Sequence, residues 1–560
     1  MSGSRSNEQR ALLLLILLAI VVTMLAVGSM WDDSATADEA AHIAAGLLKV
    51  REGRLDVYAT QAPLVEALIA APLVATGHRV PEEWRQFGNR PWVAGHLLLY
   101  RAGYDAQRIL RLARMPVIVV FLALCFAVYW FVRDTTGSER AALAAFALTG
   151  FCPTLLAHGR LATVDMGVTF FGFAATALLL RLLRAPSRGI AVAAGVALAC
   201  ALATKVSGAL LVPFFAVVIA WWFVRQRAER RAQNVKQRAE RRGQSAEANH
   251  DEPHVGSTSA LCPLPSALWT AALTSIAAFM AIYLLLARSA DLTLPFRAYL
   301  SEVRAVREFY VANPLPQFLL GEFSQKGWPH YYLVAIAVKT PLPALSLLML
   351  AIIPAVRTRR FEVVVCALFA VLFLLVSAFS SLNLGIRHVL PIYPFVYAAC
   401  AMALFDPATE AKRELVIAAT ALVVAQVIVA VIAYPSYLSY FNPLIGDSRN
   451  ADRVLIDSNL DWGQDLRRLG QWTRTNHIDK IRVHYFGAGN VEYELGDLAI
   501  RWPAPRPEPL PKGWFAVSRH YYRLSFLPTR SSIDYDTYLR ASGARYATTI
   551  GGSIDVYRVP

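Results

Sequence analysis

The sequence predicts a polytopic α-helical membrane protein with outer-face juxtamembrane helices and a small C-terminal α/β domain, and three observations predict it. Of the 560 residues 56% are hydrophobic and 17% charged, whereas soluble domains carry about 45–50% apolar and about 25% charged residues. The apolar residues are bunched into runs of the length, about 20 residues, that crosses a bilayer core of about 30 Å as a helix. Residues 435–560 break this pattern and alternate a helix with short strand-like runs. The first two observations exclude a soluble multidomain protein.

About eleven spans are predicted, near 11–30, 115–132, 140–157, 163–184, 189–204, 207–225, 266–287, 332–355, 361–381, 387–405 and 414–434. The first is read as a span, not a cleaved signal peptide, because the run from Ala11 to Met30 is too long for an h-region and no small-residue cleavage site follows. Lys and Arg beside the short loops set the orientation. With Arg5 and Arg10 inside, the inner loops hold Arg133 and Arg140, then Arg181, Arg184 and Arg188, then Arg357, Arg359 and Arg360, then Lys412 and Arg413. This orientation predicts a cytoplasmic N-terminus and puts 31–114, 288–331 and the tail 435–560 on the outer face.

Much of the net charge of +15 lies between Arg225 and Arg242, where eight basic and two acidic residues include QRAERR twice, at 226–231 and 237–242. It reads as a solvated cytoplasmic loop over 225–265 obeying the positive-inside rule, not as a nucleic-acid site. Its second part, 243–265, reads as a flexible linker. Five of the six cysteines fall in apolar runs and Cys262 in the linker, so no disulfide framework is expected.

Two outer segments read as interfacial. The run PLVEALIAAPLVA from Pro63 is too short to span, carries Glu66, and predicts a re-entrant or juxtamembrane helix. From Leu294 to Tyr310, Phe296, Tyr299, Leu300, Val303 and Val306 recur at helical spacing opposite Arg297, Glu302, Arg304 and Arg307, which predicts a helix in the headgroup plane. Trp328, Tyr331 and Tyr332 mark the outer interface. In the tail, a helix over about 463–475 and strands at 481–486, 514–518, 544–550 and 553–559 predict the α/β domain.

Ionisable residues at membrane depth are functional candidates. Asp38, Glu39 and His42 follow span one, His158, Arg160 and Asp165 flank the turn before span four, and Lys205 ends span five. Lys339 lies about two turns into span eight, and Arg387 and His388 open span ten. All lie at the outer leaflet. A lipid or solute transporter or flippase, the alternative reading, more often places such groups at the midplane and shows internal repeats, and no repeat is found among the spans. Carboxylates and cations gathered at one interface suit a site that binds an anionic headgroup and moves a proton there. Structural roles compete: Thr36-x-x-Glu39 forms a capping box, Asp165 suits a helix start, and Arg387 suits snorkelling. Asp38 and His42, four apart, share a helical face but have no apparent third metal ligand, so no metal site is assigned. Asp457, Asp461, Trp462 and Asp465 form a polar-aromatic motif read as domain docking or helix capping ahead of a sugar contact.

Five segments taken together, TADEAAHIAAGLLKVREGRLDVYATQAPLVEALIAAPL, RLATVDM, GWPHYYLVAIAVKTPLP, GIRHVLPIYPF and DSNLDWGQDLRRL, resemble the polyprenyl-phosphate-dependent glycosyltransferases of GT-C type. The likeness is to bacterial relatives of the protein O-mannosyltransferases and of the lipid A aminoarabinose transferase, and it runs from residue 38 to about residue 470. It implies a GT-C transmembrane domain over 1–434 and a periplasmic domain over 435–560, in a bacterial inner membrane. It implies a polyprenyl-phosphate sugar donor, a lipid, glycan or protein acceptor, no required cofactor, and a divalent cation as an option. Asp38 matches the carboxylate expected to act as general base on the acceptor, and Glu39 is its neighbour in that motif. Asp165 matches a second acidic position that helps place donor or acceptor, and Lys339, Arg387 and His388 match basic positions at the donor phosphate. On charge, Lys205 and Arg160 join that cationic clamp, and His42 is a further substrate-binding candidate. One departure stands out: relatives often carry a cation or His where this chain reads Gln61-Ala62-Pro63-Leu64-Val65-Glu66. The sequence contains no Asn-x-Ser/Thr sequon.

Overall fold

Seven of the predicted runs form helices long and apolar enough to cross a bilayer: Glu8–Met30, Ala106–Thr136, Asp165–Arg184, Val206–Arg238, Leu264–Ala287, Phe361–Ala378 and Arg413–Ile432. The computed structural model describes residues 2–244, 264–312, 316–380, 383–503, 505, 508–527 and 533–560. Most of the linker expected over 243–265, with Cys262, lies outside them, and its two ends extend the helices Leu211–Gln244 and Leu264–Ala287.

The other four predicted runs differ from uninterrupted spans. The run 332–355 is a pair of helices, Tyr331–Lys339 and Leu342–Thr358, bent by 113° at Thr340-Pro341. The cause is local: proline pushes the residue before it out of the helical region, and Thr340 is extended. The run 140–157 is divided likewise at Pro153 into Glu139–Gly150 and Pro153–His158. Arg188–Leu202 and Ile392–Phe405 are apolar but short, the latter entered through the 3₁₀ turn Ile386–Val389.

The first outer segment folds into three helices, Glu39–Glu52, Pro63–Ala75 and Pro91–Tyr100. They lie backbone to backbone. A Cβ at Gly46 would collide with the Glu66 carbonyl, and one at Gly95 with Ala40, so only glycine allows this approach. The helix predicted in the headgroup plane is present as Leu294–Ala312. Glu302, expected on its polar face, instead accepts from the Tyr283 hydroxyl at 3.0 Å, and burial pushes its carboxyl up to about 7.

The tail forms a five-stranded sheet in the order Ala499–Arg501, Ile481–His484, Gly513–Ser518, Ile554–Val559, Arg545–Ile550. The first three strands are parallel and the last two antiparallel to their neighbours. Alternating side chains feed two cores. Ile481, Val483 and Val556 pack with Leu466 and Leu469 of the helix Leu466–Thr475, and Phe515, Val517 and Val559 pack with Tyr535 and Tyr538 of Tyr535–Ala541. The strand Ala499–Arg501 and the ribbon of Gln317–Leu319 with Glu322–Ser324 were not predicted.

Backbone contacts dock the tail onto the bundle. Ser34 N–H donates to the Gln464 carbonyl at 2.8 Å and Ala37 N–H to that of Trp462 at 2.9 Å. Buried Asp33 ties Arg160 to Arg468.

Candidate active site

The backbone contact between Ala37 and Trp462 lies one residue before Asp38. Asp38 stands at the N-cap of Glu39–Glu52 without capping it by its side chain. Its Oδ2 instead accepts from Arg387 Nη1 at 3.0 Å. Arg387 lies in the turn Ile386–Val389, which the tail anchors: Asn459 Oδ1 accepts from Ile386 N–H at 2.8 Å, and the guanidinium rests 4.4 Å from the Trp462 ring. The same Nη1 lies 3.7 Å from Asp165 Oδ2, and Asp165 Oδ1 accepts from Lys205 Nζ at 2.6 Å. Asp165 is the first residue of its helix and Lys205 precedes the turn Val206–Leu210. Two carboxylates and two cations from four distant segments thus form one chain of charges.

They line a cavity of about 340 Å³, together with His42, His388, Gln61, Asp457 and Trp462. The two acids differ in access: the Asp38 side chain is 19% exposed and that of Asp165 2%. His42 is held by Glu66, its Nδ1 at 2.9 Å from Oε1. Glu66 also pairs with buried Lys49, whose Nζ donates to the Gln61 carbonyl at 2.9 Å. A cation therefore supports the Gln61–Glu66 segment from the helix Glu39–Glu52, where the segment's own sequence supplies none. His388 Nε2 is buried and finds no hydrogen-bond partner among the described residues. Also among the described residues, no three His, Cys, Asp or Glu side chains group as metal ligands.

Four sequence candidates, Glu39, His158, Arg160 and Lys339, lie outside the cavity wall, and His158 is buried behind Trp462 with the rings 6.2 Å apart. Glu39 is fully buried: it accepts from Arg114 at 2.8 and 2.7 Å, from Thr36 N–H at 3.0 Å, as the capping box predicts, and from Ala162 N–H at 2.8 Å. Burial pushes its carboxyl up, but Arg114 outweighs this and holds it below the usual carboxylate range. Glu39 thereby ties the loop before Asp38 to the turn before Asp165. Arg160 donates to the Ser29 carbonyl at 2.9 Å and pairs with Asp33. Lys339 ends its helix at the bend, and its Nζ donates to the carbonyls of Leu438, Tyr440 and Asn459 at 2.8, 2.5 and 2.6 Å. An ammonium has three donors, and all three are spent on the chain that leads into the tail.

The tail contributes more than the sequence motif suggested. Asp461 accepts from Ser518 Oγ, His520 N–H and Gly463 N–H, and Asp465 accepts from Ser553 Oγ at 2.7 Å, contacts within the tail that hold the motif to its own sheet. Asp457 and Trp462, from the same motif, face the cavity. Phe486, His520 and Tyr521 complete its wall, with Phe486 and His520 stacked at 3.9 Å. The strand predicted over 481–486 ends at His484, which leaves Phe486 in the loop beyond it, and His520 and Tyr521 lie in a six-residue helix too short to show a period.

Residues 109–239 match the family model of the dolichyl-phosphate-mannose-protein mannosyltransferases. This stretch includes Asp165 and Lys205, and it meets independently the resemblance carried by the sequence motifs. No curated protein matches the chain by sequence. Among solved structures, the chain is similar to ArnT from Cupriavidus metallidurans in the apo state, at 13% identity over 99% of this chain and 98% of that one, with a TM-score of 0.47. It is similar to the same protein bound to undecaprenyl phosphate at 12% identity over 98% of both chains, with a TM-score of 0.46. The S. cerevisiae protein O-mannosyltransferase Pmt1-Pmt2 complex bound to the sugar donor is 15% identical over 55% of this chain and 38% of that one, with a TM-score of 0.32.

Proposed function

We propose that the chain is a membrane glycosyltransferase that moves a sugar, with inversion, from a polyprenyl-phosphate donor to a hydroxyl or phosphate of a lipid, glycan or protein at the outer face of a bacterial inner membrane. The observation that carries this reading is the convergence of Asp38, Asp165, Lys205 and Arg387 in one cavity rather than along a path through the bundle. A transporter gives no reason for that arrangement.

Each residue has a task in such a transfer. The donor phosphate takes Arg387 and Lys205 as its cations, and these stabilise the charge that grows on it as the bond between the sugar C1 and the phosphate oxygen breaks. Asp38, the more exposed acid, takes the proton of the acceptor hydroxyl as its oxygen bonds to C1, a task worth about 10²–10⁴ in rate. Asp165 orients Lys205 and Arg387 as a positioning residue. A phosphate that draws Arg387 to itself also loosens it from Asp38, so donor binding and release of the base are coupled. The two cations do the work a metal does in nucleotide-sugar enzymes, so turnover survives a chelator, with a divalent ion as an accessory at most. The aromatic wall of Phe486, His520 and Tyr521 faces the acceptor side.

The test is transfer by purified protein in proteoliposomes, followed by release of polyprenyl phosphate. Asp38→Asn lowers turnover by at least about 10² with an unchanged melting temperature. Retained turnover removes Asp38 as the base. A parent protein that carries lipid-linked sugars across the bilayer without cleaving them replaces this reading with the transporter.

A further inference from the structure

A second cavity lies at the other end of the bundle. Asp165 opens a helix of 20 residues. Arg184 ends that helix about 30 Å away and pairs with Asp134 at 2.9 Å, just before the turn that leads to Arg140. There a groove of about 810 Å³ runs between the helices Ser2–Met30, Glu139–Gly150 and Arg413–Ile432. Its walls are apolar, and Thr420, which lines it, spends its hydroxyl on the Val416 carbonyl at 2.8 Å. It opens sideways, toward the lipid, at Leu14, Ile417 and Val424, which are 44%, 59% and 53% exposed. Along the helix from Arg413 to Val427 the wall is about 21 Å long, more than the about 15 Å of one leaflet's hydrocarbon.

The mouth of this groove is cationic. Arg140 and Arg413 line it. Arg10 precedes Leu14 and Leu18 by four and eight residues and so shares their helical face. None of the three guanidiniums forms an ion pair with a described residue. Of the acids nearby, Glu139 pairs with Arg133 and Asp406 with Arg360, each at 2.5 Å, and Glu414 and Glu8, beside Arg413 and Arg10 in sequence, do not line the groove. Two of the three helices also present their N-terminal ends here, which adds partial positive charge.

We propose that this groove binds a glycerophospholipid with a net anionic headgroup, its phosphate among Arg10, Arg140 and Arg413 and one acyl chain along Leu14, Val416 and Val427. The groove lining holds two arginines and no carboxylate, which favours an anionic lipid over a zwitterionic one that brings its own cation. Bound there, the lipid bridges the largely exposed first helix to the bundle, in the leaflet opposite the cavity of Asp38, and it is a ligand separate from the sugar donor.

The test is native mass spectrometry and thermal melting of the detergent-purified chain with phosphatidylglycerol and with phosphatidylcholine of the same acyl chains. The parent protein retains phosphatidylglycerol in preference and melts higher with it. The double variant Arg140→Gln, Arg413→Gln loses that retention by about thirtyfold, the loss expected of two cations at a membrane surface, while phosphatidylcholine retention stays the same. Thr420→Trp fills the groove and lowers retention with every arginine in place. Arg357→Gln with Arg359→Gln removes equal charge elsewhere and leaves retention unchanged. Equal retention of the two lipids, or an equal loss in that control, overturns the proposal in favour of nonspecific surface charge. Displacement of phosphatidylglycerol by inorganic phosphate alone, or by an equimolar polyprenyl phosphate, overturns it in favour of an ion site or a donor-lipid site.

Discussion

Asp38 and Glu39 are neighbours in sequence with opposite surroundings, one in a cavity beside Arg387 and the other sealed under Arg114. Lys339 makes a similar contrast with Lys205. If Lys339 held a donor phosphate, its loss would raise KM with stability intact. Held as it is by three carbonyls, Lys339→Met orphans three buried acceptors at about 1–3 kcal/mol each, so the expected outcome is a large drop in melting temperature and folded yield. Asp457 gives a pH dependence. Burial pushes its carboxyl up to about 6, although Arg387 and the Ser458 amide pull it down. Its ordinary value is near 4, so its contribution to stability is full below about pH 4 and is lost as pH rises through about 6. The same ionisation adds a negative charge beside Arg387, so KM for a polyprenyl-phosphate sugar rises between about pH 5 and about pH 7. Asp457→Asn flattens that rise, and since the residue sits at φ 59°, a left-handed conformation that Asn tolerates, the backbone is kept.

The elements repeat the lesson with breaks in place of side chains. Hydropathy reads the sum of a run and is blind to its direction, so 332–355 looked like one span although its two helices meet at 113°. Thr340-Pro341 and Cys152-Pro153 were visible in the sequence, but only the bundle decides whether a proline kinks a helix or ends it. The tail strands were legible because their side chains alternate toward two cores. The three-residue strands were not, because so short a run has no period. What joins these elements is also buried polar chemistry: Asp33 holds the end of the first helix to Arg160 and Arg468. Breaking such a network leaves uncompensated charge, so Asp33→Asn costs about 3–5 kcal/mol, read as a lower melting temperature in detergent. Turnover per folded molecule is unchanged at a permissive temperature.

Across the whole molecule, charge counting beside the loops gave the depth of each candidate in the membrane but not the direction in which it points around the bundle. Asp38, Asp165, Lys205 and Arg387 share both depth and direction, whereas Arg160 and Lys339 share only the depth. The tail escaped the reading because its part in the site comes from docking, and the docked segment is held to its own sheet by Asp461, whose carboxyl burial pushes up to about 7. Asp461→Ala orphans the Ser518 hydroxyl and the His520 amide. The expected outcome is faster proteolytic cleavage within 435–560 and a matching fall in turnover. The docked wall also sets an order of events. A ribosome makes Asp38, Asp165 and Arg387 first and Phe486, His520 and Tyr521 last. A chain made only as far as Arg387 therefore carries these charges without their cover or their anchors, and on the proposed function sugar transfer waits until Phe486, His520 and Tyr521 have folded over them.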